Sequence, residues 1–138
     1  MTSSFVEMLC ICFLLQFLPL GLTTSPARGQ DPQGLLRRRI DAAHRAYKES
    51  MDLYREGRTR DVDRIYRWSE RWLHAEQELN DKKADRITAA EGHLRRMKQL
   101  EDLVKNVYKA GAAAPIELPA VEYYRLDAEV ALSKAKGP

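Results

Sequence analysis

Apolar side chains spaced three and four residues apart are the feature that most restricts how this chain can fold. The first series is Leu36, Ile40, Ala43, Tyr47, Met51 and Tyr54. Steps of three and four place these side chains on one face of an α-helix. Gly57 follows the series, and a glycine just beyond the last periodic residue commonly ends a helix in the left-handed conformation. We therefore predict a first helix over residues 35–56.

A longer series lies between Gly57 and Gly111. Asp61 and Asp63 suit the first turn of a helix, and no proline interrupts residues 61–108. The apolar members are Ile65, Trp68, Trp72, Ala75 and Leu79, followed after a polar gap at residues 80–86 by Ile87, Ala90, Leu94, Met97, Leu100, Val104 and Val107. One continuous helix of this length measures about 70 Å. We expect that long helix; the alternative is a compact bundle in which the chain breaks at Asn80-Asp81.

A third helix is predicted beyond Gly111, with Pro119 in its first turn, where a missing N–H costs little. Its main apolar stripe is Val121, Tyr124, Ala128, Leu132 and Ala135, and a second stripe is Tyr123, Leu126 and Val130. Short turns make sequential helices antiparallel. The predicted fold class is therefore all-α: three antiparallel helices forming two helical hairpins around one long central helix, coiled-coil-like, with Gly57 and Gly111 at opposite ends.

The first 27 residues have the pattern of a signal peptide. An apolar stretch broken by Pro19 and Gly21 is too short to span a bilayer, and the small residues Ser25 and Ala27 suit cleavage after Ala27. Residues 1–7 lack the usual positive charge, so an uncleaved anchor and a misassigned start remain alternatives. We expect export to the periplasm or cell envelope, with membrane contact only through this segment if it stays uncleaved.

The remaining chain divides into a flexible lead, residues 28–34, and a helical hairpin domain, residues 35–136. Both cysteines, Cys10 and Cys12, fall in the predicted signal peptide, so the mature chain is expected to form no disulfide and no thiolate metal site.

Composition argues against several classes of function. The chain has 23 Lys and Arg against 20 Asp and Glu, with the two signs interspersed, which is typical of a solvated helix surface rather than a nucleic-acid interface. His44, His74 and His93 lack the three- or four-residue spacing that places two metal ligands on one helix face. The serines lie outside any nucleophile motif. We expect no enzyme, no cofactor, no metal and no nucleic-acid partner.

A short motif occurs twice. Tyr54-Arg55-Glu56-Gly57 is echoed by Tyr108-Lys109-Ala110-Gly111, and each glycine is followed by an acidic and an apolar residue, Asp61-Val62 and Glu117-Leu118. With the Ala- and Leu-rich helix beyond, this pattern resembles the helical hairpin tips of the outer-membrane efflux proteins, the TolC family. The resemblance covers roughly residues 50–136. It implies an isolated helical fragment without the β-barrel, whose tips point into the periplasm and engage an adaptor protein.

The candidate partner-binding residues are Tyr54, Gly57, Trp68, Trp72, Tyr108 and Gly111. Trp68 and Trp72 lie one helical turn apart and should anchor the core, while a thin helical layer leaves part of them exposed. We expect an exported interaction or structural module that pairs with a helical envelope protein or with itself. The alternative is a periplasmic small-ligand binder or chaperone-like protein that uses the tryptophan surface.

Overall fold

The computed structural model describes residues 31–137, and this part of the chain is built from four helices. They are α1, Pro32–Arg55; α2, Val62–Leu79; α3, Lys83–Lys109; and α4, Glu117–Lys136. The predicted all-α class is confirmed. The predicted signal peptide lies outside the described residues. Within residues 31–137, no helix combines the length and the apolarity needed to cross a bilayer.

Helix α1 begins three residues earlier than predicted, inside the expected flexible lead. The Asp31 carboxylate accepts the backbone N–H groups of Gln33 at 3.1 Å and Gly34 at 3.0 Å, which makes Asp31 the N-cap. Pro32 occupies the first helical position, where its missing N–H leaves no bond unmade. A proline and a glycine that suggested a loop therefore belong to the first turn of the helix.

The two predicted glycine stops are confirmed. Gly57 has φ +70° and Gly111 has φ +74°, the left-handed region that suits glycine. At the first stop the N–H of Arg58 bonds the Leu53 carbonyl at 2.9 Å, and at the second Ala112 bonds Val107 at 3.0 Å. These bonds close the last turns of α1 and α3 in the same way.

The long central helix is not confirmed, because residues 61–108 form two helices. Helix α2 ends at Leu79, and Asn80 and Lys82 are extended, with ψ of 119° and 134°. Helix α3 then folds back on α2 and buries Ala89 and Ala90 in a cluster with Leu73. A continuous helix would leave that surface in water. The compact alternative, with its break at Asn80-Asp81, is the arrangement of the described residues.

Interhelical bonds establish an up-down-up-down order. Arg39 near the start of α1 pairs with Glu78 near the end of α2. Arg125 of α4 lies 2.8 Å from Glu101 of α3, and Lys136 lies 3.9 Å from Glu91. Sequential helices are thus antiparallel.

The two glycine turns lie at the same end of the bundle, so their predicted placement at opposite ends is wrong. The buried Tyr54 hydroxyl, next to the first turn, donates to the carboxylate of Glu117, next to the second. The break at residues 80–82 causes this, because it reverses the chain between the two hairpins. We call this the glycine-turn end.

The core consists of two apolar clusters with polar residues between them. The larger, toward the glycine-turn end, contains Tyr47, Met51, Tyr54, Val62, Ile65, Met97, Leu100, Val104, Val121 and Ala128. The smaller is formed by Leu73, Ala89 and Ala90, with Leu132 and Ala135 packed against it. Ser69 of α2 and His93 and Arg96 of α3 are buried in the region where α2 crosses α3. This polar region is a candidate functional site.

Candidate functional site

A buried hydrogen-bonded chain links Arg96, Ser69 and His93. The Arg96 Nε donates to the Ser69 hydroxyl at 2.7 Å, and Arg96 Nη2 donates to the Ser69 carbonyl oxygen at 3.2 Å. The Ser69 oxygen lies 2.8 Å from His93 Nδ1. Because the guanidinium can only donate, the Ser69 hydroxyl accepts from Arg96. In the tautomer that carries the His93 proton on Nε2, Ser69 donates its own proton to His93 Nδ1.

The two basic side chains in this hydrogen-bonded series, His93 and Arg96, differ in charge at neutral pH. Burial, with the nearby Arg96 charge, lowers the pKa of His93 to about 4, so its imidazole is neutral and able to accept from Ser69. Burial also lowers the pKa of Arg96, to about 10, which leaves its guanidinium protonated. The bundle thus holds one fixed positive charge in its interior.

Serine and histidine in hydrogen-bond contact form the nucleophile and base of many hydrolases. Here both side chains are fully buried, and the Ser69 oxygen is already bonded on two sides. No substrate carbonyl can approach it in this structure, so the pair serves packing. His93 is 1% exposed and is therefore a core residue. Its position three residues after Ala90 and four before Met97, on the buried stripe of α3, is the sequence signal that could have found it.

Aromatic rings contact the Arg96 guanidinium, and Glu76 acts on its charge from a longer distance. Its guanidinium carbon lies 4.0 Å from the ring centroid of Trp72 and 5.9 Å from that of Tyr47. Among residues 31–137, no carboxylate lies within 4.0 Å of it. Cation–π contact compensates part of the cost of burying the charge. His44 completes the arrangement from α1, with its ring 4.5 Å from Trp72.

A pocket of about 370 Å³ opens beside Arg96, in the groove between α2 and α3. Its lining combines two cations and two carboxylates with an aromatic ring and several neutral groups: Trp72, Glu76, Asn80, Asp85, Thr88, Ala89, Gly92, Arg95, Arg96 and Gln99. Burial raises the pKa of Glu76, against the opposing charge of Arg96. The pocket therefore presents both signs of charge at short range.

The predicted tryptophans both contact the core and both keep part of their surface exposed. Trp68 and Trp72 pack against the larger apolar cluster, and Arg71 lies over the Trp68 ring at 4.5 Å. The buried Nε1–H of Trp72 has no acceptor among the described residues. Trp72 rather than Trp68 lines the pocket.

The predicted tip residues differ in their accessibility. Tyr54 is fully buried, its hydroxyl bonded to Glu117 and its ring 5.3 Å below the Arg60 guanidinium, so it is not open to a partner. Burial and the Glu117 carboxylate raise the pKa of Tyr54. Tyr108, Gly57 and Gly111 are exposed at the glycine-turn end. The structure therefore brings these three together and removes Tyr54 from the candidate surface.

The outer face of α4 carries a second apolar stripe that none of the other three described helices covers. Tyr123, Leu126 and Val130 are 64%, 45% and 49% exposed, and Ile116 just before the helix is more exposed still. With the exposed Pro119, the steps along the stripe are three, four, three and four. We call these five residues the α4 stripe. The sequence indicated its last three members but not that they would remain uncovered.

The described part of the chain contains no preformed cluster of metal-binding side chains. No group of three or more His, Cys, Asp or Glu side chains among residues 31–137 is placed to hold an ion. His44 and His74 are both exposed.

Comparison with known proteins gives the chain no assignment. No protein-family model matches it, and neither the curated proteins nor the solved structures yield a significant match.

Proposed function

We propose that this chain is a helical interaction module of the cell envelope and that the α4 stripe is its partner-binding surface. The observation that carries the proposal is that α4 has two apolar faces. Val121 and Ala128 on the inner face are fully buried, whereas Tyr123, Leu126 and Val130 on the outer face are in solvent. A helix at the edge of a monomeric bundle needs only one apolar face. Alternating steps of three and four are the spacing with which helices pair in coiled coils.

A second copy of this chain is the occupant that the charges favour. Glu122 flanks the first half of the stripe, and Lys134 flanks its end. Antiparallel pairing of two α4 helices, with Leu126 opposite Val130 of the second copy, brings Glu122 of each copy beside Lys134 of the other. Opposite charges beside an apolar seam select partner and orientation.

The acidic residues near the centre of the seam are engaged within the bundle. Asp127 accepts the Tyr66 hydroxyl at 2.9 Å, and Glu129 pairs with Arg125 at 2.8 Å. The charge of Glu129 is thus compensated before pairing, and the hydrogen bond holds Asp127 toward α2, which reduces their mutual repulsion across the seam.

The envelope location is proposed from residues 1–27, and a helical envelope protein is the alternative occupant of the stripe. The resemblance to efflux-protein hairpin tips supports a helical envelope partner that would also contact the glycine-turn end. Tyr108, Gly57 and Gly111 are exposed there. Self-association is the more specific proposal, because both surfaces it needs are in the described chain.

Sedimentation velocity of residues 28–138 tests this proposal. We expect a reversible dimer at concentrations up to about 0.1 mM, which covers the micromolar affinities of small interfaces. Leu126→Glu should give a monomer, because it places a charge in the apolar seam. Ala42→Glu adds the same charge at an exposed position of α1 and should leave the dimer intact. A wild-type chain that stays monomeric over this range removes the proposal.

A charge exchange tests the antiparallel orientation. Glu122→Lys should weaken the dimer, because it places two lysines beside each other at each end of the seam. Adding Lys134→Glu to the same chain should restore it. If the double variant associates no better than Glu122→Lys, α4 does not pair in this orientation.

A further inference from the structure

We propose that the pocket between α2 and α3 is a binding site for a small zwitterionic molecule of amino-acid size, whose carboxylate is held by Arg96 and Arg95. This site is separate from the α4 stripe. Its lining includes Trp72 and Glu76 from α2 and Gly92, Arg95 and Arg96 from α3.

The first argument is the unused donor capacity of Arg96. The side chain is only 7% exposed, and two of its nitrogens, Nε and Nη2, are bonded to Ser69. The third, Nη1, lies on the pocket side next to Gly92 and has no acceptor among the described residues. Glu76 stabilises the Arg96 charge but forms no ion pair with it within 4.0 Å, so a carboxylate from outside would supply the charge-assisted hydrogen bonds that Glu76 does not.

The guanidinium groups of Arg95 and Arg96 converge on one point beside Gly92. A Cβ placed on Gly92 would lie 3.3 Å from Arg96 Nη1 and 3.8 Å from Arg95 Nη2. Two like charges thus face the same small space, with no side chain on Gly92 to fill it. Such a pair of donors suits the two oxygens of a carboxylate.

The glycine at position 92 also favours a binding site. Gly92 lies in the interior of α3 without an unusual φ, where alanine would be the better helix former. A methyl group there would crowd Arg96 Nη1, which the Ser69 bonds hold in place. Glycine keeps the floor of the pocket open at the expense of helix stability.

The carboxylates in the lining favour a zwitterion over a simple anion. Glu76 and Asp85 share the pocket with the two arginines. Burial raises the pKa of Glu76, so its charged form gains from a cation placed beside it. A ligand with a carboxylate and an ammonium group pairs with both the arginines and the carboxylates of the lining. A dianion would be repelled by the carboxylates. The Trp72 ring supplies an apolar wall.

Titration of the ¹⁵N-labelled full-length chain with three probes tests the site. The probes are L-glutamine, which carries both charges, acetate, which carries the anion alone, and ethylammonium, which carries the cation alone. We expect saturable shifts of the Gly92 amide and the Trp72 indole signal with L-glutamine at millimolar affinity, and binding of acetate at least about fivefold weaker. Acetate binding as tightly as L-glutamine overturns the zwitterionic assignment. No saturable shift with any probe up to about 50 mM overturns the site.

Two variants locate the binding. Gly92→Ala should weaken L-glutamine binding at least about tenfold while helix content does not fall, because alanine favours the helix but fills the carboxylate position. Arg95→Ala should also weaken binding, and Arg86→Ala, an exposed arginine of α3 outside the pocket, should not. Unchanged binding in Gly92→Ala contradicts the proposal. Because none of these residues belongs to the α4 stripe, failure here leaves the dimer proposal standing.

Discussion

At the scale of single residues, the buried side chains near the α2–α3 crossing surround the positive charge of Arg96. Arg96 is held by Ser69 on one side and by the faces of Trp72 and Tyr47 on the other. Ser69 in turn needs an acceptor for its own proton, and neutral His93 provides it. Each of these groups keeps its hydrogen bonds only while the others keep their places, so the polar chain fixes how α2 crosses α3.

Stability should therefore depend on pH through His93. Folding lowers the pKa of this side chain from 6.5 to about 4, so protonation favours the unfolded chain. The stabilisation is complete above pH 6.5 and is lost as the pH falls toward 4. We expect the free energy of unfolding to drop by about 2 kcal/mol between pH 7.5 and pH 5, measured by urea denaturation.

Two glutamine variants check the assignment to His93. His93→Gln keeps a polar partner for Ser69 but cannot be protonated, so its stability should be nearly constant over this range. His44→Gln replaces an exposed histidine and should retain the wild-type slope. Equal slopes in the wild type and His93→Gln would show that another group is responsible.

The buried polar residues are the part of the molecule that sequence patterns did not predict. Ser69 lies four residues after Ile65 and four before Leu73, both buried, yet a serine or histidine in such a series is counted as surface. Polar side chains enter a core only when their partners meet them there. Those partners come from different helices, so the information is tertiary rather than local.

At the scale of the elements, the helix ends were predictable because backbone chemistry is local. A glycine that adopts positive φ marks the end of α1 and of α3 from the sequence alone. The break at residues 80–82 contains neither glycine nor proline, so Asn80 and Asp81 indicated where a break could occur but did not require one. The break forms because α3 gains a buried face against α2, and that gain depends on tertiary packing.

The second glycine turn allows a clean test of backbone strain. A Cβ on Gly111 would meet no atom within 4 Å, so Gly111→Ala changes only the cost of the left-handed conformation. We expect a loss of about 1–2 kcal/mol in the free energy of unfolding, measured by urea denaturation. Gly111→Asn should lose less, because asparagine tolerates this region. Equal losses in both variants would place the cost elsewhere.

At the scale of the whole molecule, the break converts an expected rod into a compact bundle. Small-angle X-ray scattering of residues 28–138 carrying Leu126→Glu should distinguish the two shapes without interference from dimers. A compact chain of this length has a radius of gyration of about 13 Å. A continuous helix of about 70 Å would raise it to roughly 20 Å. A value near the larger figure would show that α2 and α3 do not fold together in solution.

The shared position of the two glycine turns has a consequence for how the molecule can be mounted. Since both turns are at one end, residues 31 and 137 leave the bundle together at the other. Anything fused at either position, whether a tether, a tag or a host protein whose loop receives residues 31–137, holds the bundle by its base. The turns then face outward, away from the attachment. Such a polarity makes the four helices suitable as a post that displays short grafted sequences at its free end.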